Sequence, residues 1–188
     1  MAHANFVRMD AEQLAFPDAS FDGALCVLGL MYRPDPAAAV RELQRVMRPG
    51  GRAVLAVSGE RASCGWAALF GIVDGEVRSE VCRLFYGLGQ GDALARRCKT
   101  AGLQPVAQQR LLVTLDFADA GAACAAAFVG GPVALAWSRF DDSRRRRVQA
   151  RYVDAIAPWR DGAGYRVPAE FVIAAVRRPL LGHSSKTE

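Results

Sequence analysis

The chain has 188 residues, of which 52% are hydrophobic, and a formal net charge of +5. That length suits a single domain, and the apolar share excludes wholesale disorder and supports a sizeable core. The mild basicity would suit an acidic ligand or a nucleic acid without deciding for either. The opening Met1–Asp10 lacks the apolar segment of a signal peptide, which suggests a cytoplasmic protein.

In chain order, Asn5–Met9 is a short strand candidate with Phe6 and Val7 as its apolar part, and Leu14–Ser20 is a loop broken by Pro17-Asp18. Gly23–Leu28 (GALCVL) is continuously apolar, the pattern of a strand buried on both faces. Asp35-Pro36 then predicts a helix start, because Asp35 can cap free N–H groups and Pro36 fits the first helical position. Val40, Leu43 and Met47 recur at helical spacing, and Pro49-Gly50-Gly51 is expected to stop the helix before a second apolar strand, Ala53–Val57. Strand, helix and strand follow within the length of a right-handed parallel crossover, so a parallel sheet covered by helices is expected.

The period is helical from Cys64 to Phe85, with a break at Asp74-Gly75. Gly87–Gly91 (GLGQG) reads as a linker. Asp92 is expected to cap a helix over Ala93–Ala101 closed by Gly102. Val106–Asp116 is a long strand. Ala120–Ser138 has no charge and is long enough for a membrane span, but Gly130-Gly131-Pro132 breaks it, so two short buried helices are expected. Asp141–Trp159 is a helix with the stripe Val148, Tyr152, Ile156 and Trp159. Arg144–Arg147 reads as its solvated face, since no aromatics interleave as they would in a nucleic-acid patch. Asp161–Gly164 is a turn, Phe171–Val176 a last buried strand, and Leu180–Glu188 a frayed tail. Cys26, Cys64, Cys82, Cys98 and Cys124 show no metal-ligand spacing, and their odd number within apolar runs suggests reduced core thiols and no metal. His3 and His183 both lie near a terminus, so no core histidine base exists and no catalytic residue can be picked.

The stretches "DAEQLAFPDASFD" (Asp10–Asp22) and "LGLMYRPDPAAAVRELQRVMRPGGRAVLAV" (Leu28–Val57) resemble class I S-adenosylmethionine-dependent methyltransferases, of the type-11 kind related to quinone-biosynthesis enzymes. Ala101-Gly102-Leu103 looks like the same family. Phe128–Phe140 and Tyr165–Val176 look similar, less specifically, to a small-molecule branch of it. The resemblance implies an α/β Rossmann-like sheet and S-adenosyl-L-methionine as cofactor. It implies that Asp10 accepts a hydrogen bond from the adenine amino group and that the Ala11 N–H meets a ring nitrogen. It further implies that Val27 and Leu28 pass beside the methionine part, and that Leu30, Met31 and Tyr32 line the route to a small organic acceptor. A carboxylate and the adjacent amide at a strand's carboxyl end can grip a purine edge at two points.

The family holds its cofactor chiefly with a glycine-rich loop after the first strand and a carboxylate after the second. The GLGQG run at Gly87–Gly91 has glycines at a GxGxG spacing, but it follows Asp10 in the sequence, where the family's loop would precede it. In the family's strand order, 3-2-1-4-5-7-6, Asn5–Met9 would be the third strand and Gly23–Leu28 the fourth. The expectation is an N-terminally truncated, single partial domain over residues 1–188, from a gene fragment, a mis-assigned start or a split protein. Helical lid elements are expected over about 62–90 and 117–160. The fourth strand becomes an apolar edge open to self-association or to a completing partner. Neither nucleic acid nor membrane is expected as a partner. A non-catalytic remnant or partner subunit, and a basic RNA-binding module, are the rival readings.

Overall fold

The computed structural model describes residues 4–77 and 85–180, so the second helix expected before Phe85, Cys82, and the tail beyond Leu180 lie outside the described residues. The first unit is β1 (Phe21–Val27), α1 (Pro36–Val46) and β2 (Met47–Ser58). The two strands pair in parallel, with Ala24 opposite Ala53 and Cys26 opposite Leu55, as the crossover reading requires. Asp35 caps α1 as expected: its Oδ1 accepts from the N–H groups of Ala37 and Ala38 at 2.9 and 3.0 Å. The helix ends earlier than Pro49, because Met47 already has extended backbone and the Pro-Gly-Gly run belongs to β2. Those glycines serve local packing instead. Gly50 has φ +82°, and a Cβ on Gly51 would sit 2.8 Å from Arg48 O.

Next come α2 (Ala68–Asp74), which stops at Gly75 as the Asp74-Gly75 break implied, and α3 (Ala93–Thr100). Asp92 occupies the N-cap position of α3 but bonds no helix N–H, because its carboxylate pairs with Arg96 one turn on. Gly102 ends the helix at φ +85°, with Gly102 N donating to Lys99 O and Leu103 N to Cys98 O. This is the Schellman arrangement, which a glycine admits without a Cβ clash. Then follow β3 (Gln104–Phe117), α4 (Ala120–Phe128), α5 (Ala134–Ser138), α6 (Asp142–Ile156), β4 (Arg160–Asp161) and β5 (Gly164–Arg177). Among the described residues no helix is long and apolar enough to cross a membrane.

The sheet order is β1-β2-β5-β3, with β4 paired to β5. It reproduces the 4-5-7-6 run of the expected order, including a β5 that is antiparallel to both β2 and β3, so the sheet is mixed rather than uniformly parallel. Asn5–Met9 forms no strand. Phe6 stands out in solvent, and the chain makes only an isolated Asp10–Gln13 bridge. A strand needs a ladder neighbour, and β1 has only β2 beside it. The following loop packs instead on α1. Arg45 donates to Leu14 O, Phe16 O and the Asp18 carboxylate while also bonding Glu42, and Glu42 in turn accepts the Leu14 N–H at 2.8 Å. The Arg45 hydrogen bond holds the Glu42 carboxyl below its ordinary range.

Arg144–Arg147 is also more than a solvated face. Arg144 and Arg147, joined by Arg151, converge on Glu76, whose side chain is nearly buried, and Arg145 lies over the Trp137 ring. The row of arginines therefore ties α6 to the turn after α2.

Along β5, alternate residues face opposite sides. Val172, Ala174 and Val176 are buried together with Ala53, Leu55 and Val57 of β2, beneath α1 and α3. Tyr165, Val167 and Ala169 are buried on the other side, where α4 packs on β3 and β5. Farther along that second side the helices run out. Leu25, Val27 and Val54 are 71%, 57% and 39% exposed there, with Ile173 and Ala175 half-buried beside them.

Candidate functional site

Where β1 and β2 end, the second sheet face meets the helices and leaves a cavity of about 200 Å³. Leu28 follows β1, and Met31 and Tyr32 stand on the short turn after it. Ser58 closes β2, opposite Phe171 of β5. Trp66 and Leu69 come from the α2 region, Ala126 and Ala127 from α4, and Tyr152 from α6. The crevice outside the carboxyl ends of parallel strands is the usual binding place of open α/β sheets. Every side chain lining this one is uncharged.

The walls are stiff. Tyr32, Trp66 and Phe70 all contact the Phe85 ring, at centroid distances of 5.0 to 5.6 Å. Across the cavity the Tyr152 ring meets Phe128 edge-on at 5.4 Å. Leu28 adopts φ +54°, a left-handed backbone that costs a bulky residue roughly 1–2 kcal/mol. Its N–H donates to Ala56 O at 2.8 Å, which holds the bend at the cavity mouth. Burial raises the pKa of both the Tyr32 and Tyr152 phenols, so both are neutral hydroxyls at physiological pH.

Of the residues expected at the site, Leu28, Met31 and Tyr32 meet at the cavity. Leu30 is buried in the core behind them, and Ala11 is half-buried against the same core. Val27 points to the open sheet face instead. Asp10 is 65% exposed; its Oδ1 accepts the Glu12 N–H at 3.0 Å and lies 3.9 Å from Arg33, which directly follows Tyr32. Ser58 escaped the sequence reading, and Trp66, Phe117 and Tyr152 fell within the expected lid elements without being named as site residues, because each comes from a different, distant segment. Tyr152 was visible only as one member of an amphipathic stripe.

The GLGQG segment is clamped rather than a free linker. Arg110 of β3 donates to Gly89 O and Gly91 O at 2.8 and 3.0 Å and to the Glu170 carboxylate at 2.9 Å. Glu170, almost fully buried, also accepts the Glu60 N–H at 2.7 Å. Gly89 lies directly against the backbone of Ser58 and Gly59. The loop therefore braces the end of β2 where the cavity begins.

Cys26, Cys64, Cys98 and Cys124 are free thiols raised in pKa by burial, Cys98 to about 11. Among the described residues no cluster of acidic, histidine and cysteine side chains could hold a metal ion. For S-adenosylmethionine the fit is partial. Asp10 keeps its Oδ2 open to an amino group, but the cavity offers no charged partner for the ribose or for the amino-acid end.

Residues 1–55 match the methyltransferase domain family. A segment of 47 residues is 53% identical to the ubiquinone/menaquinone biosynthesis C-methyltransferase UbiE of Hahella chejuensis, covering 25% of this chain and 19% of that one. A segment of 48 residues is 48% identical to the 2-phytyl-1,4-naphtoquinone methyltransferase of Synechococcus elongatus, covering 26% of this chain and 21% of that one. The chain thus matches about a fifth of the length of these curated relatives. In three dimensions it resembles a Bacillus halodurans C-125 protein assigned as a methyltransferase, with a TM-score of 0.60 and 18% identity over 93% of this chain and 77% of that one. At that identity the likeness speaks for the fold. Residues 1–55 thus match the methyltransferase domain family by sequence, and the sheet order is that of the class I methyltransferase fold.

Proposed function

We propose that the chain carries the acceptor-binding part of an S-adenosylmethionine-dependent methyltransferase acting on a small organic molecule in the cytoplasm. The observation that carries this reading is the uncharged cavity at the carboxyl ends of β1 and β2, within a sheet of methyltransferase order. The cofactor, when bound, supplies an electrophilic methyl group. In this reading Asp10 and the Ala11 N–H grip its adenine, and Val27 and Leu28 flank its methionine part. Leu30 backs the wall from the core, while Met31 and Tyr32 with the rest of the cavity hold the acceptor and keep water from it. Methyl transfer then depends mainly on proximity and alignment.

The 188 residues carry no glycine-rich loop ahead of Asp10, so on their own they should hold the cofactor weakly. The absent contacts include at least two charge-assisted hydrogen bonds, a deficit of about 3–6 kcal/mol, or about 100-fold or more in affinity. Titration calorimetry of the 188-residue polypeptide should therefore show at best weak binding, and low-micromolar binding would overturn this part of the proposal. Grafting a relative's strand and glycine-rich loop ahead of residue 4 should restore binding and transfer of labelled methyl. Asp10→Ala in that graft should weaken binding by roughly 1–3 kcal/mol. Unchanged affinity would remove Asp10 from the site.

The exposed apolar face of Leu25, Val27 and Val54 favours a second reading, in which the chain uses its sheet for association with a second copy or a completing polypeptide. Sedimentation should then show self-association that a Leu25→Lys, Val54→Lys double variant abolishes. A monomeric wild-type protein would dismiss self-association.

A further inference from the structure

If the cavity is the acceptor site proposed above, its size and lining also define the chemistry of the acceptor. Its volume of about 200 Å³ exceeds the roughly 150 Å³ of an apolar cavity that admits benzene, so a substituted single ring fits. Its walls present aliphatic and aromatic surface, a sulfur, hydroxyls and an indole, with no charged side chain. An ionised ligand would lose its hydration there with no countercharge to replace it.

Two hydroxyls stand out. Ser58 and Tyr152 are each only 1% exposed and both line the cavity, beside Trp66, whose buried Nε1 has no hydrogen-bond partner among the described residues. Buried polar groups normally find partners, and an unpartnered Trp66 N–H beside two hydroxyls favours a ligand that supplies an oxygen. Both are held in place. The Ser58 N–H points to Met31 Sδ at 3.4 Å and its carbonyl is covered by Gly89, while the Tyr152 ring is fixed against Phe128.

We infer that the cavity takes an uncharged, single-ring aromatic molecule bearing one oxygen, and that the hydroxyls of Tyr152 and Ser58 recognise this oxygen and set specificity. The oxygen accepts from one hydroxyl or donates to it, since a neutral phenol and a serine can each do either.

The test uses the 188-residue chain and three probes followed by titration in NMR: acetophenone, its near-isostere cumene, which lacks the oxygen, and benzoate, which adds a charge. Tyr152→Phe keeps the ring and removes only the hydroxyl. It should weaken acetophenone about tenfold while leaving cumene unchanged or tighter. Ser58→Ala should act in the same direction and stands in should Tyr152→Phe fail to fold. Benzoate should bind at least tenfold more weakly than acetophenone. Equal losses for acetophenone and cumene, benzoate as the tightest probe, or no binding of any probe up to its solubility limit would overturn the inference. Because the titration needs neither cofactor nor turnover, intact oxygen discrimination together with no methyl transfer by the loop-grafted protein would fault the methyltransferase reading alone.

Discussion

The two faces of one sheet contrast sharply. On the side under α1 and α3, Ala53, Leu55 and Val57 are buried together with Val172, Ala174 and Val176. On the other side Val54 and its neighbours Leu25 and Val27 meet solvent, and among the described residues cover returns where α4, Trp66 and the cavity-lining Tyr152 of α6 reach the end of the sheet. The central runs of β1 and β2, Gly23–Val27 and Ala53–Val57, are apolar on both sides, so the chemistry of the two faces is the same there and the neighbours differ. An apolar run therefore reports that a face is built for cover, while the tertiary structure reports where the cover is.

The strongest test of this contrast pairs one leucine from each face. Leu55→Ala removes a fully buried side chain and should cost about 2–5 kcal/mol, lowering the melting temperature by several degrees in calorimetry. Leu25→Ala should stay within about 1 kcal/mol of wild type. A large loss at Leu25 would mean that the open face is covered in solution, which favours the association reading.

The border between the packed end and the cavity is tested by two glycines of one loop. A Cβ on Gly89 would enter the Ser58 and Gly59 backbone, whereas a Cβ on Gly87 has nothing within 4 Å. Gly89→Ala should destabilise by roughly 1–3 kcal/mol and loosen the cavity wall, while Gly87→Ala should be near neutral in the same denaturant series. Equal effects would show that the clamp by Arg110 does not brace β2.

The smallest effect concerns the helical side. Glu76 faces Arg147, Arg144 and Arg151, and its carboxyl lies below the usual glutamate range, chiefly through the Arg147 hydrogen bond. A lowered folded-state pKa contributes stability above the unfolded value of about 4.3, and that stability is lost as pH falls through the lower folded value. Glu76→Gln should therefore melt below wild type at neutral pH, with the gap closing in acid. A gap that persists unchanged at low pH would show that packing, not charge, makes the contact.

The sequence by itself determined the strand–helix–strand unit around α1, its Asp35 cap, the Gly102 stop, the helical pair over Ala120–Ser138, though α5 buries none of its residues as it was expected to, and the family match of residues 1–55. These are local matters of periodicity, capping and backbone freedom, legible within a few turns of chain. Only the tertiary structure decided that Asn5–Met9 would lie outside any strand, because a ladder needs a neighbour that local propensity cannot supply. It alone turned Arg144 and Arg147 toward Glu76 and clamped Gly89 with Arg110. It also brought Met31, Ser58 and Tyr152 to one cavity, from positions whose separation along the chain leaves no pattern to read.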